Sequence, residues 1–235
     1  MQADKEIRCL ILGGGGHARV LIDSLISSKA AEPVGILDPD PALWCRKVFG
    51  VSVLGNDELM PELVRKGATH FVIGLGSVGD NRPRQRLFEL GIKQGLIPLT
   101  VSHPTAVCSP WAKVGEGSVL FPKAVVNAGA ILGRNVIVNT GAIVEHDCAL
   151  GDHVHVATGA QLASTVRVGD LAHIGAGATV RQCLSIGEGA IVGAGAAVVE
   201  NVEPWTVVAG VPARILKHNV GDSAFASSWP SGGQF

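Results

Sequence analysis

The sequence predicts two units joined end to end: a Rossmann-like α/β domain and, after it, a parallel β-solenoid of triangular cross-section. Three observations carry this. From Val114 to Glu203 an aliphatic side chain returns at every sixth position, from Val114, Leu120 and Val126 through to Val192 and Val198. Within that stretch Gly115, Gly133, Gly151, Gly169 and Gly187 recur at intervals of eighteen. Ahead of it, an apolar run from Ile7 to Leu12 breaks into four consecutive glycines, and a helix-periodic segment follows.

In the α/β part, Ile7 to Leu12 reads as a strand, Gly13 to Gly16 as a turn, and His17 to Lys29 as a helix with Val20, Leu21, Leu25 and Ile26 on one face. Val34 to Leu37 is a second strand ending at Asp38; Thr69 to Ile73 is another, running into Gly74 and Gly76. Arg82 to Leu90 reads as a helix and Leu96 to Val101 as a closing strand, with a junction at His103, Pro104 and Thr105. Strands alternating with helices imply a parallel sheet that binds ligands at the carboxyl ends of its strands.

A period of six is neither the two of a strand nor the 3.6 of a helix, so each hexad must be a short strand plus a corner. Fifteen hexads fill residues 114–203, and the glycine rhythm of eighteen groups them into about five coils of three. Four positions after each aliphatic residue stands a second small or apolar one, such as Ala124, Ala130, Val136, Ala142 and Cys148, and both columns should point inward. The position between them prefers Gly117, Gly129, Asn135, Gly141, Asp147, His153, Gly159, Gly177, Gly189 and Gly195, types that tolerate a left-handed corner.

Composition narrows the classes. A formal net charge of -1 gives no support for nucleic-acid binding. No apolar run approaches a membrane span, and Met1 leads to Ile7 with no long apolar signal region, so a cytoplasmic protein is expected. The five cysteines are scattered without paired metal spacing, which fits reduced thiols.

Against a repeat that needs no protonatable groups, Glu145-His146-Asp147-Cys148 stands out, with His153 and His155 close behind. His146 occupies an outward position where neighbouring coils carry Ala128 and Ser164, and an adjacent carboxylate would raise its basicity and select its tautomer. A solvated surface histidine is the competing reading. Cys148 falls in an inward column and reads as core. His155 and His173 stack in one column, which is itself a structural reason for either. Gly175, Ala176, Gly193 and Ala194 would let an extended ligand lie on backbone amides, although such residues are common wherever coils turn. Arg214 and Lys217 suit phosphate groups, or are solvated charges. Gly13-Gly14-Gly15-Gly16-His17-Ala18 with Asp38 matches the dinucleotide fingerprint. The domain ends before a second mononucleotide half, so one nucleotide and its diphosphate fit it better than NAD, with the diphosphate at the helix N-terminus.

The combination resembles the sialic acid O-acetyltransferase and nucleotide-amino-sugar N-acetyltransferase family. The motifs are the Gly-Gly-Gly-Gly-His-Ala turn, His-Pro-Thr-Ala-Val, Asn-Thr-Gly-Ala-Ile-Val-Glu-His-Asp-Cys, Gly-Asp-His-Val-His-Val-Ala-Thr-Gly-Ala and the closing Gly-Val-Pro-Ala-Arg, over residues 7–217. The expected domains are 1–105 and 106–218, with the Ser/Gly-rich residues 219–235 as a flexible tail. The resemblance implies a left-handed parallel β-helix, with His146 as general base, made more basic by Asp147. It further implies that His155 contacts the acetyl end of acetyl-CoA; with the residues read above, the expected acetyl-CoA site comprises His155, Ser164, Gly175, Ala176, Gly193, Ala194, Pro212, Arg214 and Lys217. The resemblance implies a nucleotide-sugar site at the glycine loop (Gly13, Gly15, Gly16, His17) and Asp38, and Gly76 and Asn81, at the end of a later strand on the same expected edge, complete it.

The expected function is acetyl-CoA-dependent N-acetylation of a nucleotide-linked amino sugar, a 4-amino-4,6-dideoxyhexose for bacterial surface glycans. The enzyme is expected to be a metal-free homotrimer with acetyl-CoA between subunits. Three rivals stand beside it. A sialic acid O-acetyltransferase would use the same base and donor, a zinc enzyme of the γ-carbonic anhydrase type shares the solenoid but lacks its H-x-x-x-x-H pair here, and a non-catalytic nucleotide-sugar-binding protein would leave His146 unexplained.

Overall fold

The computed structural model describes residues 7–218; the tail expected at 219–235 lies outside the described residues. In the α/β domain β1 (Arg8–Leu12) leads into α1 (Gly16–Ser28), β2 (Glu32–Leu37), β3 (Lys47–Val48), β4 (Val51–Gly55), α2 (Met60–Arg65), β5 (His70–Ile73), α3 (Arg82–Lys93) and β6 (Ile97–Pro98). The sheet order is β3-β4-β2-β1-β5-β6. All pairings are parallel except β3 with β4. The strand order reverses at β1, so the crevice between the carboxyl ends of β1 and β5 is the natural ligand edge. Buried Leu10, Leu12, Phe71, Ile73 and Phe88 form the core on one side of the sheet; Cys9, Ile11, Val72 and the inner side of α1 form it on the other.

The second unit is a left-handed parallel β-helix. Its first face carries Val101–Ser102, Val119–Leu120, Ile137–Val138, His155–Val156, His173–Ile174 and Ile191–Val192, and is extended by Thr206–Ala209. The second face runs from Val107–Cys108 to Ala197–Val198 and the third from Lys113–Val114 to Ser185–Ile186. From Leu120 to Val198 every member of the aliphatic column is buried, as is the partner column from Ala124 to Val202. Two short side chains per hexad fill the prism without room for rings.

The corner position is left-handed at every sixth residue from Gly117 to Gly195, and it includes Lys123, Thr165, Leu171 and Cys183 as well as the expected glycines, asparagine and aspartate. Tertiary stacking thus overrides a local penalty of about 1–2 kcal/mol at those non-glycine sites. The glycines spaced by eighteen have a different cause. A Cβ on Gly133 would stand 2.6 Å from the Gly151 carbonyl carbon, and one on Gly169 2.6 Å from the Glu188 nitrogen. At that corner, backbone rests on backbone.

Two expectations are corrected. The closing strand at 96–101 is two strands, Ile97–Pro98 in the α/β sheet and Val101–Ser102 in the solenoid. The solenoid therefore begins at Val101, ahead of both the first hexad at Val114 and the boundary drawn at residue 105, and it exceeds five coils. Ser102 and Cys108 occupy the aliphatic column there, so the hydrophobic pattern is broken while the hydrogen-bonding pattern is not.

The two glycine classes should respond differently to alanine. Gly133→Ala drives a side chain into backbone and should cost more than about 2 kcal/mol, whereas Gly159→Ala, with open space at φ +67°, should cost about 1 kcal/mol. Urea denaturation of both variants measures the difference; equal losses would contradict backbone contact as the cause.

Candidate active site

His146 sits at the edge between the second and third faces, immediately before the left-handed Asp147 (φ 59°). That backbone turns the Asp147 side chain back over the coil below, into space that a Cβ on Gly129 would occupy. His146 Nδ1 lies 2.8 Å from Asp147 Oδ2. A carboxylate can only accept, so Nδ1 carries the proton and Nε2 keeps its lone pair on a ring whose side chain is 54% exposed. Glu145 Oε2 accepts from Asn127 Nδ2 at 3.0 Å and from the His146 N–H at 3.1 Å, tying the segment to the coil below. Ser164 stands one coil above His146 in the same column, half-buried. Cys148 is fully buried, its Sγ 3.1 Å from the Ala163 carbonyl, and burial pushes its thiol pKa up, as befits core.

The other expected acyl-donor residues gather on a different edge, between the first and second faces, and on the hairpin above it. Gly175 and Gly193 serve the stack: their N–H groups bond the Val192 and Val208 carbonyls at 2.8 and 2.7 Å, and their missing side chains make room for the next layer of chain. Ala176 and Ala194 sit exposed at the tips of those turns, with no partner for their N–H groups among the described residues. Pro212, Arg214 and Lys217 lie exposed on the turn and strand Arg214–His218, which the Ala213 N–H fastens to Ala197 on the second face. Arg214 reaches Glu200 at 3.8 Å.

At the nucleotide edge, a Cβ on Gly13 (φ +103°) would meet the Leu75 nitrogen at 2.9 Å, while Gly15 and Gly16 face open space at the start of α1. Asp38 braces this turn: Oδ2 accepts from the Gly14 N–H at 2.7 Å and Oδ1 from the Asp40 N–H at 2.9 Å. Trp44, 37% exposed, donates its indole N–H to the Asp38 carbonyl at 2.9 Å. Burial and the charge of Asp38 raise the pKa of Asp57 on the same edge. Neither Trp44 nor Asp57 was singled out from the sequence, because β4 and the short 3-10 turns around it carry no periodic signal.

His17, Gly76 and Asn81 turn away from that open edge into the seam with the first face. The His17 ring packs edge-on against Phe121 at 5.1 Å, and a Cβ on Gly76 would stand 3.2 Å from the His17 Cβ. Asn81 is 1% exposed, and its Nδ2 donates to the Leu171 and Ala172 carbonyls. His155 also belongs to the seam, between Ser77 Oγ at 3.0 Å and Asn139 Nδ2 at 3.1 Å, with His173 edge-on at 4.9 Å. Arg84, fully buried, donates to the Leu75 carbonyl and to Asn135 Oδ1 at 2.6 Å, and Asn135 Nδ2 continues to His153 Nδ1 at 3.0 Å. Burial pushes the Arg84 pKa down to about 9, still charged at neutral pH. Burial, helped by Arg84, lowers His17 to about 3; burial lowers His173 to about 4. Arg84 shares its buried face with Phe88 and Gly91, the i+4 and i+7 spacing that would have flagged it.

No group of three His, Cys, Asp or Glu side chains among the described residues could hold a metal ion, and no described helix is long and apolar enough to cross a membrane.

A β-helix bearing a carboxylate-oriented histidine at an open edge, fused to an α/β domain with a glycine-rich turn, defines a solenoid acyltransferase with its own nucleotide-binding module. Comparison with known proteins carries this further. Residues 8–90 match the PglD N-terminal domain. A histidine-to-asparagine variant of perosamine N-acetyltransferase from Caulobacter crescentus, solved with CoA and GDP-perosamine, is 38% identical with a TM-score of 0.83, over 94% of this chain and 99% of that one. The acetyltransferase domain of PglB from Neisseria gonorrhoeae, solved with acetyl coenzyme A, is 35% identical with a TM-score of 0.82, over 90% and 100%. WeeI from Acinetobacter baumannii is 29% identical with a TM-score of 0.73, over 88% and 99%. A search of curated protein sequences returned no match. The chain belongs to the PglD-type family of nucleotide-amino-sugar N-acetyltransferases, and it is an acetyltransferase.

The buried histidines make stability pH-dependent. Their folded pKa values lie below the ordinary 6.5, so their contribution is complete above that value and is lost as the pH falls, when the unfolded chain takes up protons the folded one refuses. Tm should fall by about 5 °C or more between about pH 7 and about pH 5. His173→Phe should flatten that slope; a Tm independent of pH would show that the rings are not held neutral.

Proposed function

We propose that the protein transfers the acetyl group of acetyl-CoA directly to the amine of a nucleotide-linked amino sugar, a 4-amino-4,6-dideoxyhexose, with His146 as general base. The reading rests on one observation above all: the Asp147 carboxylate holds His146 Nδ1 and leaves the Nε2 lone pair at an exposed edge. The sugar amine attacks the thioester carbonyl, and Nε2 takes the amine proton as the C–N bond forms. Collapse of the tetrahedral intermediate breaks the C–S bond, and the departing thiolate recovers that proton. No acyl-enzyme is required, and Cys148 stays out of the reaction.

Donor and acceptor follow the relatives solved with acetyl coenzyme A and with CoA plus GDP-perosamine. An amine acceptor, in preference to the hydroxyl of a sialic acid, follows the N-acetyltransferase among them. The open glycines at the start of α1 suit the diphosphate, with free N–H groups and the positive end of the helix facing it. Exposed amides at Ala176 and Ala194, one coil apart, suit the pantetheine arm.

The same geometry favours a homotrimer. His146 and Ser164 stand on one edge of the prism, and the donor-side residues Ala176, Ala194, Pro212, Arg214 and Lys217 on another. The second face separates them within a chain, and it exposes Val107 (61%) with Val125 and Ile143 half-buried beside it. Covering that face with a neighbour's edge would bring the two sets together.

His146→Ala should reduce thiol release with a nucleotide-linked 4-amino sugar by about 10²-fold or more, with acetyl-CoA affinity unchanged. Near-normal kcat would remove His146 as the base. Asp147→Asn should lose less. Gly129→Ala should match or exceed that loss by displacing the Asp147 carboxylate, so retention of full kcat would mean the carboxylate does not orient the ring.

A mixing experiment addresses the shared site. Chains carrying His146→Ala, combined with chains carrying Ala176→Trp, should recover activity in mixed trimers. Absence of recovery, or a fully active monomer in sedimentation, would place both edges' residues in one chain's site.

A further inference from the structure

The polar contacts crossing from the α/β domain into the solenoid at His155 run in one direction only. Asn81 Nδ2 lies 3.0 Å from both the Leu171 and the Ala172 carbonyl oxygens, which can only accept. The amide nitrogen is therefore the donor there, and Asn81 Oδ1 faces Ser77, whose Oγ–H donates to it. With its proton committed, Ser77 Oγ meets His155 Nδ1 at 3.0 Å through a lone pair, so Nδ1 carries hydrogen. On the other side of the ring, Asn139 Oδ1 accepts from the Thr140 N–H at 2.8 Å. Asn139 Nδ2 is thus the donor to His155 Nε2 at 3.1 Å, and Nε2 carries the lone pair. Backbone groups anchor the chain at both ends, and no link can be reversed without leaving two acceptors or two donors face to face.

Both ring nitrogens of His155 are consequently occupied, and the residue is 5% exposed. Burial, together with the charges of His173, Arg84 and His17, holds its pKa well below the usual histidine range, so the neutral ring persists through neutral pH. Within the chain its proton and its lone pair are both engaged.

The loop that begins the chain of contacts has two ends of different character. Gly74 and Leu75 back Gly13 in the glycine turn at the nucleotide edge, and Gly76 packs against His17 in the seam behind it. Ser77 and Asn81, a few residues on, bond the first face of the solenoid. A shift of the loop at one end must stretch a hydrogen bond at the other.

We propose that Ser77 and Asn81 are positioning residues whose one-way hydrogen-bond chain locks His155 as the neutral Nδ1–H tautomer and couples the nucleotide loop to the edge that receives the acetyl donor. The identity of the two ligands rests on the function proposed above; the tautomer does not.

The test uses the full chain with 15N-labelled histidine, the His155 signals being assigned by their disappearance in His155→Asn. In the wild type, the ring should show a protonated Nδ1 and an unprotonated Nε2, unchanged from about pH 8 to about pH 5.5. Ser77→Ala should give a mixture of tautomers and raise the KM for acetyl-CoA about 5–10-fold with kcat retained within about twofold, and Ser77→Thr should restore both. Calorimetric titration with acetyl-CoA, in the absence and presence of GDP or UDP, reads the coupling: one of the nucleotides should change the affinity in the wild type and not in Ser77→Ala. An Nε2–H tautomer, titration of the ring near neutral pH, or an unaltered spectrum in Ser77→Ala would overturn the locking. Equal nucleotide sensitivity in the two proteins, or none in the wild type, would overturn the coupling. The spectrum does not depend on turnover, so its failure would leave acetyl transfer standing, and loss of acetyl transfer would leave the spectrum to be judged alone.

Discussion

A backbone that turns left-handed at every sixth residue is the constraint on which the second unit depends. The corner lets three short strands close a triangle, directs two small side chains per hexad inward, and lays each peptide plane on the one below. It also makes the candidate catalytic pair. At a left-handed residue the side chain is thrown back across the preceding coil, so Asp147 reaches its neighbour's imidazole from below while Gly129 leaves the space for it. A right-handed or extended residue at 147 would send the carboxylate elsewhere, and the histidine would keep its exposure but lose its orientation.

The union of the two domains follows a different logic. Apolar contact is supplied by Val101, Val119, Phe121 and Ile137 on the first face against the α1 side of the sheet. Around that patch lie His17, His153, His155, His173 and Arg84, and no hydrogen bond from any of them to a carboxylate is present among the described residues. His17 Nε2, Arg84 Nε and His173 Nδ1 are buried without a hydrogen-bond partner. Burial disfavours a charge on each of these rings, and Arg84 adds to the effect at His17, His153 and His155. Packing joins the domains, and electrostatics sets the conditions under which they stay joined.

Where sequence and structure agree, a strict period was at work. The aliphatic columns, the corner glycines, the exposure of His146 and the core role of Cys148 all follow from counting by six, since a repeat turns any departure into a signal. The first turns of the solenoid escaped because Ser102 and Cys108 interrupt the aliphatic column while the coil-to-coil hydrogen bonds continue. β4 and the antiparallel β3 escaped because short strands carry too few residues for alternation to show. Asn81 and Arg84 illustrate a deeper limit. A polar residue beside a strand end, or within an Arg-Pro-Arg-Gln-Arg run, has the composition of a surface, and only the neighbouring domain reveals that it is interior. Gly175 and Gly193 show the converse limit: a glycine needed for coil stacking is indistinguishable in one sequence from a glycine needed for ligand approach.

The last strand, Arg214–His218, pairs antiparallel with Thr206–Ala209, whereas every coil-to-coil pairing before it is parallel. A stack of identical coils has no intrinsic length; its uppermost edge is a template onto which the lowest coil of another molecule could add in the same sense. Reversing the strand on the first face changes that template there, because an incoming parallel coil would find the donors and acceptors out of phase, and Arg214, Lys217 and His218 place cationic or ionisable side chains along its rim. The hairpin thus ends the parallel sense of the first face alone, while the second and third faces finish on Ala197–Val198 and Ser185–Ile186, each paired parallel with the strand below.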